Sequence, residues 1–187
     1  MKLYAIPPSP FVRKVLVTAQ ELDLAERLEV VPVTTSPLSP DPEVIRHNPL
    51  GRVPTLVRDD GPALYESGVI CAYLNSLTPG VNLIPETGEA RWQSARLHAL
   101  ADGIAEEGIT IRREMSRPED KQWTDWITAF EAKLARTYDL LEAEPALYEG
   151  PFEIGQIALA CALDWVTFRA TGPSPFENRP RLTAWHA

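Results

Sequence analysis

Few residues in this chain pair a reactive or charged side chain with a position that could use it, and they fall in two stretches. The first is Ser9-Pro10, a hydroxyl and a proline set just before an apolar-periodic run. Serine is a favoured N-cap and proline a favoured first helical residue, so a helix over Phe11–Leu22 is predicted with Ser9 at its positive end. The second is Asn48–Leu74, NPLGRVPTLVRDDGPALYESGVICAYL. Thr55-Leu56-Val57 and Ala63-Leu64-Tyr65 read as two strands around the hairpin loop Arg58-Asp59-Asp60-Gly61-Pro62. Glu66-Ser67 then opens a helix, so a hydroxyl and free N–H groups face whatever lies in front, a ready carboxylate site. Pro54 sits at the mouth of the first strand, where a residue without an N–H is tolerated. Val53-Pro54 is the bond where a cis peptide is expected, and in that form the Val53 backbone is turned outward to pair with an extended peptide. A backbone edge, the cation Arg52 and a helix N-terminus together suit a small anionic peptide.

Each of these residues also has a plainer reading. Ser9 and Ser67 can be caps and nothing more, Glu66 can be a first-turn acid that complements a helix dipole, and Arg52 can be solvated. His47, His98 and His186 lack metal-ligand spacing, so no metal is expected. Cys71 and Cys161 lie in apolar runs and read as buried free thiols, and without a C-x-x-C there is no dithiol centre. Trp92, Trp123, Trp126 and Trp165 read as core.

The elements that must position these residues follow from the order of the chain. Lys2–Ile6 is a first strand, the Phe11–Leu22 helix follows, and Leu28–Val33 is a second strand with Pro32 marking a sheet edge. Thr34–Asn48 reads as a loop with one helical turn. With the hairpin and the helix after it, the simplest arrangement is a thioredoxin-like domain. Ser76–Gly88, rich in proline and glycine, is the expected break. Beyond it the chain reads as helical: Glu89–Arg113, Glu119–Glu144, Ile154–Arg169 and a last helix near Arg179. The 187 residues carry a net charge of −8, which argues against nucleic acid and anionic membrane surfaces as partners. No apolar run reaches transmembrane length, and the cytoplasm is the expected compartment.

With both halves placed, the sequence resembles the cytosolic glutathione transferases, above all the bacterial branch with a serine in the active-site turn. The matching pieces are SPFVRKV at Ser9–Val15, NPLGRVPTL at Asn48–Leu56, YESGVICAYL at Tyr65–Leu74 and IALACALDW at Ile157–Trp165. The resemblance implies an α/β thioredoxin-like N-terminal domain over residues 1–76 with the glutathione site. A linker over 77–88 and an all-α helical domain over 89–187 would follow, the latter carrying the hydrophobic substrate site. It implies that Ser9 activates the thiol, that Ser9, Phe11, Arg52, Val53, Pro54, Glu66 and Ser67 bind glutathione, and that no metal takes part. The implied partners are glutathione as co-substrate, a small hydrophobic electrophile and a second copy of the chain, as a homodimer. Against the family pattern Glu153 and Gln156 make a weak helix cap, and the chain reads as truncated after its last helix begins. Conjugation, glutathione-dependent reduction of peroxides or disulfides, and glutathione binding without turnover all remain open on these residues.

Overall fold

The apolar run after Lys2 becomes β1 (Lys2–Ala5), whose Leu3, Tyr4 and Ala5 are buried, and the first half of the chain is assembled around it. The structure, a computed structural model, describes residues 1–187 and divides into two units, Met1–Glu86 and Thr87–Ala187. In the first unit β2 (Glu29–Pro32), β3 (Thr55–Val57) and β4 (Leu64–Tyr65) complete a sheet in the order β2-β1-β3-β4. β1 and β2 are parallel, whereas β1–β3 and β3–β4 are antiparallel. The proline-bearing strand is at an edge, as its missing N–H requires.

Helix α1 (Pro10–Glu21) packs on α3 (Ser67–Ser76), burying Val12, Val15 and Ala19 on one side and Ile70, Cys71 and Leu74 on the other. Their contact includes a buried hydrogen bond from the Thr18 hydroxyl to Cys71 Sγ at 3.4 Å. The stretch expected as a loop with one helical turn contains α2 (Pro42–His47), capped by Asp41, which accepts from the Glu43 N–H at 2.8 Å and the Val44 N–H at 3.3 Å. The segment after α3 is held by Asn75, whose amide donates to Asn82 Oδ1 at 2.9 Å and accepts from the Leu83 N–H at 2.8 Å.

In the second unit α4 (Gly88–Met115) packs on α5 (Thr124–Ala143) and on α6 (Ile154–Arg169), and α7 (Pro180–His186) packs on α5. The α4–α6 contact is close because each helix contributes a glycine to it. A Cβ on Gly108 would stand 2.8 Å from Val166 Cγ1, and one on Gly155 would stand 3.1 Å from the Ser94 carbonyl. The expected weak cap of α6 is corrected here: Glu153 and Gln156 form a reciprocal capping box, with the Glu153 N–H donating to Gln156 Oε1 at 3.2 Å. The expected helix over Glu119–Glu144 is interrupted, with a short 3₁₀ turn at Glu119–Lys121 before α5.

The tryptophan expectation fails for three of the four. Trp165 is buried, but Trp92 is 65% exposed, Trp123 60% and Trp126 40%. Trp123 and Trp126 stack on each other at 5.6 Å on the outside of the unit, and Phe168 of α6 is also exposed. Helical spacing cannot separate an inward stripe from an aromatic ladder on the outer surface. None of the helices is long and apolar enough to cross a membrane.

One buried phenol makes the energetics testable. Tyr138 is fully buried with no hydrogen-bond partner for its hydroxyl, and the Arg179 guanidinium lies 5.4 Å above its ring. Burial pushes its pKa far above the ordinary tyrosine range, against the smaller lowering pull of Arg179. A raised folded-state pKa contributes stability that is complete below the unfolded value of ~10 and is lost as pH rises through the folded one. Tyr138→Phe should change stability at neutral pH by no more than about 1 kcal/mol, since an unpaired hydroxyl is lost. It should also lessen the alkaline loss of stability above pH ~10, measured by thermal unfolding across pH. A drop of about 3 kcal/mol at neutral pH would mean that the hydroxyl is bonded.

Candidate active site

The register of the sheet decides which residues can meet. Tyr4 of β1 pairs with Thr55 of β3, and Thr55 pairs with Tyr65 of β4. β1 and β4 therefore run in the same direction, and β3 opposes both. β1 leaves this row toward Ser9, β3 enters it through Arg52-Val53-Pro54, and β4 leaves it into Glu66-Ser67. Ser9, Arg52, Val53, Pro54, Glu66 and Ser67 thus lie at one end of the sheet. α1 and α3 both begin at that end, so two helix N-termini face the same way, each carrying a partial positive charge.

Ser9 is the N-cap of α1. Its backbone is extended (φ −81°, ψ 126°), its N–H donates to the Ile6 carbonyl at 3.0 Å, and its Oγ accepts from the Val12 N–H at 3.3 Å. The cap occupies a lone pair and leaves the hydroxyl proton uncommitted to any protein acceptor. Ser9 is half-buried, so that proton can reach a ligand. Phe11, also half-buried, follows in the first turn, with Lys14 Nζ 5.7 Å above its ring.

The turn before β3 is built on a residue not singled out from sequence. Asn48 is buried, and its amide donates to the Arg52 carbonyl at 3.1 Å and to Thr55 Oγ at 3.0 Å. Its Oδ1 accepts from the Leu50 N–H at 3.0 Å, and the Thr55 hydroxyl donates to the same Arg52 carbonyl at 2.8 Å. Two donors on one carbonyl fix the peptide that leads into Val53. The Val53–Pro54 bond is cis, with Pro54 buried and Val53 half-buried. The Arg52 side chain is exposed and bonded to no protein group.

Glu66 caps α3 with its own carboxylate, accepting from the Gly68 N–H at 3.0 Å and the Val69 N–H at 3.3 Å. The buried Ser67 hydroxyl donates to Glu66 Oε1 at 3.1 Å, so it is turned onto its neighbour. What α3 leaves uncommitted is the Ser67 N–H, together with the outward lone pairs of the Glu66 carboxylate. Glu66 holds φ +72°, a conformation that costs a non-glycine residue about 1–3 kcal/mol and recurs at ligand sites. A glutamate carries no sequence signal for that backbone.

The mixed sheet with its three helices, followed by a helical unit, defines the glutathione transferase fold. A family model described as the N-terminal domain of glutathione S-transferase matches residues 8–77. YibF, a GST-like protein of Escherichia coli strain K12, is 30% identical over 185 residues, covering 97% of this chain and 90% of the relative. Glutathione S-transferase 3 of Zea mays is 37% identical over 203 residues, covering 99% and 86%. The crystal structure of a glutathione transferase family member from Pseudomonas fluorescens Pf-5, with bound glutathione, superposes with a TM-score of 0.95 at 38% identity, covering 99% of this chain and 91% of that one. The chain belongs to the glutathione S-transferase family.

Asn48 gives the site its most direct structural test. Asn48→Ala removes both donors from Arg52 and Thr55 and the acceptor from Leu50, inside a buried turn. A loss of about 2–3 kcal/mol is expected in denaturant unfolding, against about 0.5 kcal/mol or less for an ordinary exposed polar deletion. An unchanged midpoint would show that the turn holds its shape without the amide.

Proposed function

We propose that this protein is a glutathione transferase that binds glutathione at the shared end of the first unit's sheet and holds its thiol as the thiolate. In this reading the Val53 backbone, set by the cis Pro54, pairs with the cysteinyl residue of the peptide as an added strand. The γ-glutamyl carboxylate meets the Ser67 N–H at the head of α3, and its ammonium meets the Glu66 carboxylate. Arg52, whose guanidinium is uncommitted, faces the glycyl carboxylate. Ser9 and Phe11, from the first turn of α1, stand at the sulfur.

The observation that carries the reading is the uncommitted hydroxyl proton of Ser9 at a helix N-terminus. A thiol with pKa ~8.5 is mostly protonated at neutral pH, and the thiolate is the nucleophile. A hydroxyl donating to sulfur and a positive helix end both favour the charged form. The sulfur then attacks a small hydrophobic electrophile: a new S–C bond forms, and either the leaving group departs with its bonding pair, or the π pair of an activated double bond moves away from the attacked carbon and takes a proton from solvent. Ser9 neither breaks a covalent bond nor takes the proton. It lowers the free energy of the thiolate and leaves the proton to solvent. A glutathione-bound relative at 38% identity supports the choice of peptide.

Ser9→Ala should keep glutathione affinity within about three-fold, because the other anchors remain. Its conjugation rate with an aryl halide at neutral pH should fall roughly 10- to 100-fold, the equivalent of losing one hydrogen bond to a charged acceptor. The deficit should shrink as pH rises and solvent supplies the thiolate. Steady-state kinetics across pH would check this, and a variant as fast as the wild type at neutral pH would remove Ser9 from the mechanism.

A further inference from the structure

β4 is two residues long and bonded on one side only, at the edge of the sheet. A strand of that length has little positional stability from its own ladder. Yet it ends where Glu66 must stand at φ +72°, directly before α3. The side chain that makes up the difference is Arg58, which opens the β3–β4 loop and is only 18% exposed. Its Nε donates to the Pro62 carbonyl at 3.0 Å, across the loop and just short of β4. Its guanidinium carbon lies 4.9 Å above the ring of Tyr73, two turns into α3. The Tyr73 hydroxyl donates to Asp60 Oδ1 at 3.3 Å, and the same oxygen is 4.0 Å from Arg58 Nε. Gly61 makes the arrangement sterically available, because a Cβ there would overlap the Arg58 guanidinium.

The segment from β4 to Ser67 is thus strung between two fixed points. One is the Pro62 carbonyl, held from the loop side, and the other is Tyr73, held on the helix. Arg58 touches both. We propose that Arg58 is a positioning residue for the γ-glutamyl end of glutathione: by clamping the loop onto Tyr73 it sets where the Glu66 carboxylate and the first N–H of α3 stand. The proposal rests on the glutathione reading above and deepens it. A planar, forked cation is needed for this clamp, since one face stacks while an in-plane N–H donates, and lysine offers no such combination.

The test compares two ligands, glutathione and cysteinylglycine, which lacks the γ-glutamyl group, by calorimetry on folded protein. Arg58→Met removes the donor and the planar stack, and Gly61→Ala keeps Arg58 but forces its guanidinium to shift from its place in the loop. Arg58→Lys keeps the charge alone. For each variant glutathione affinity should fall by about ten-fold while cysteinylglycine affinity stays within about two-fold. Failure of Arg58→Met to fold leaves the same measurement to the other two variants. Equal losses for both ligands would reduce Arg58 to a general stabiliser, and an Arg58→Lys variant with wild-type glutathione affinity would exclude the forked clamp. Wild-type protein that binds both ligands equally would overturn the glutathione reading itself. Wild-type protein that prefers glutathione, beside variants that keep the full preference, would overturn the clamp alone.

Discussion

Thr55 stands between Tyr4 and Tyr65 in the sheet, and the position of the whole site is measured from that row. The pairing aligns the exit of β1, the entry to β3 and the exit of β4, so two helices start and one peptide edge begins at the same place. Thr55 also donates its hydroxyl to the Arg52 carbonyl, so sheet register and turn geometry are tied through one buried side chain. A slip of one residue would turn Thr55 to the other face of the sheet and release that carbonyl. Asn48 reinforces the same point from below, which is why a polar residue is tolerated there when fully buried.

The electrostatics of the chain and of the site point in opposite directions. A net charge of −8 repels an anionic peptide at long range. At physiological salt, charges more than about 8 Å apart in solvent are largely screened, so local donors decide. In the proposed reading those are the uncommitted guanidinium of Arg52, the Ser67 N–H and the N-termini of α1 and α3. Glu66 is compatible with that proposal, because its carboxylate is already held by two backbone N–H groups and its remaining lone pairs would meet the ammonium.

What could be read in the sequence was whatever depends on neighbours along the chain. Ser9-Pro10 announces a helix start, the D-G and G-P steps announce the hairpin, and β3, α1 and α6 lie within a residue of where their patterns place them. What could not be read depends on contacts distant in sequence or on unusual backbone. Asn48 looks like an ordinary turn residue until the Arg52 carbonyl and Thr55 are brought beside it. Arg58 looks like a solvated loop cation until Tyr73 comes under it. The exposed Trp123–Trp126 stack has the spacing of a core stripe, and only packing shows which side faces out. Glutamate is not among the favoured N-cap residues, yet Glu153 and Gln156 close the reciprocal box that caps α6.

The proposed chemistry rests on the Ser9 hydroxyl, whose oxygen caps α1 and whose proton would be left for the sulfur. The most direct measurement is the ultraviolet absorbance of the thiolate in protein saturated with glutathione, followed against pH for wild type and Ser9→Ala. A hydrogen bond of about 1.5–3 kcal/mol to the charged form predicts a wild-type midpoint roughly one to two units below that of the variant. Superimposable curves in two proteins that both bind glutathione would contradict the account and leave Ser9 as the cap of α1.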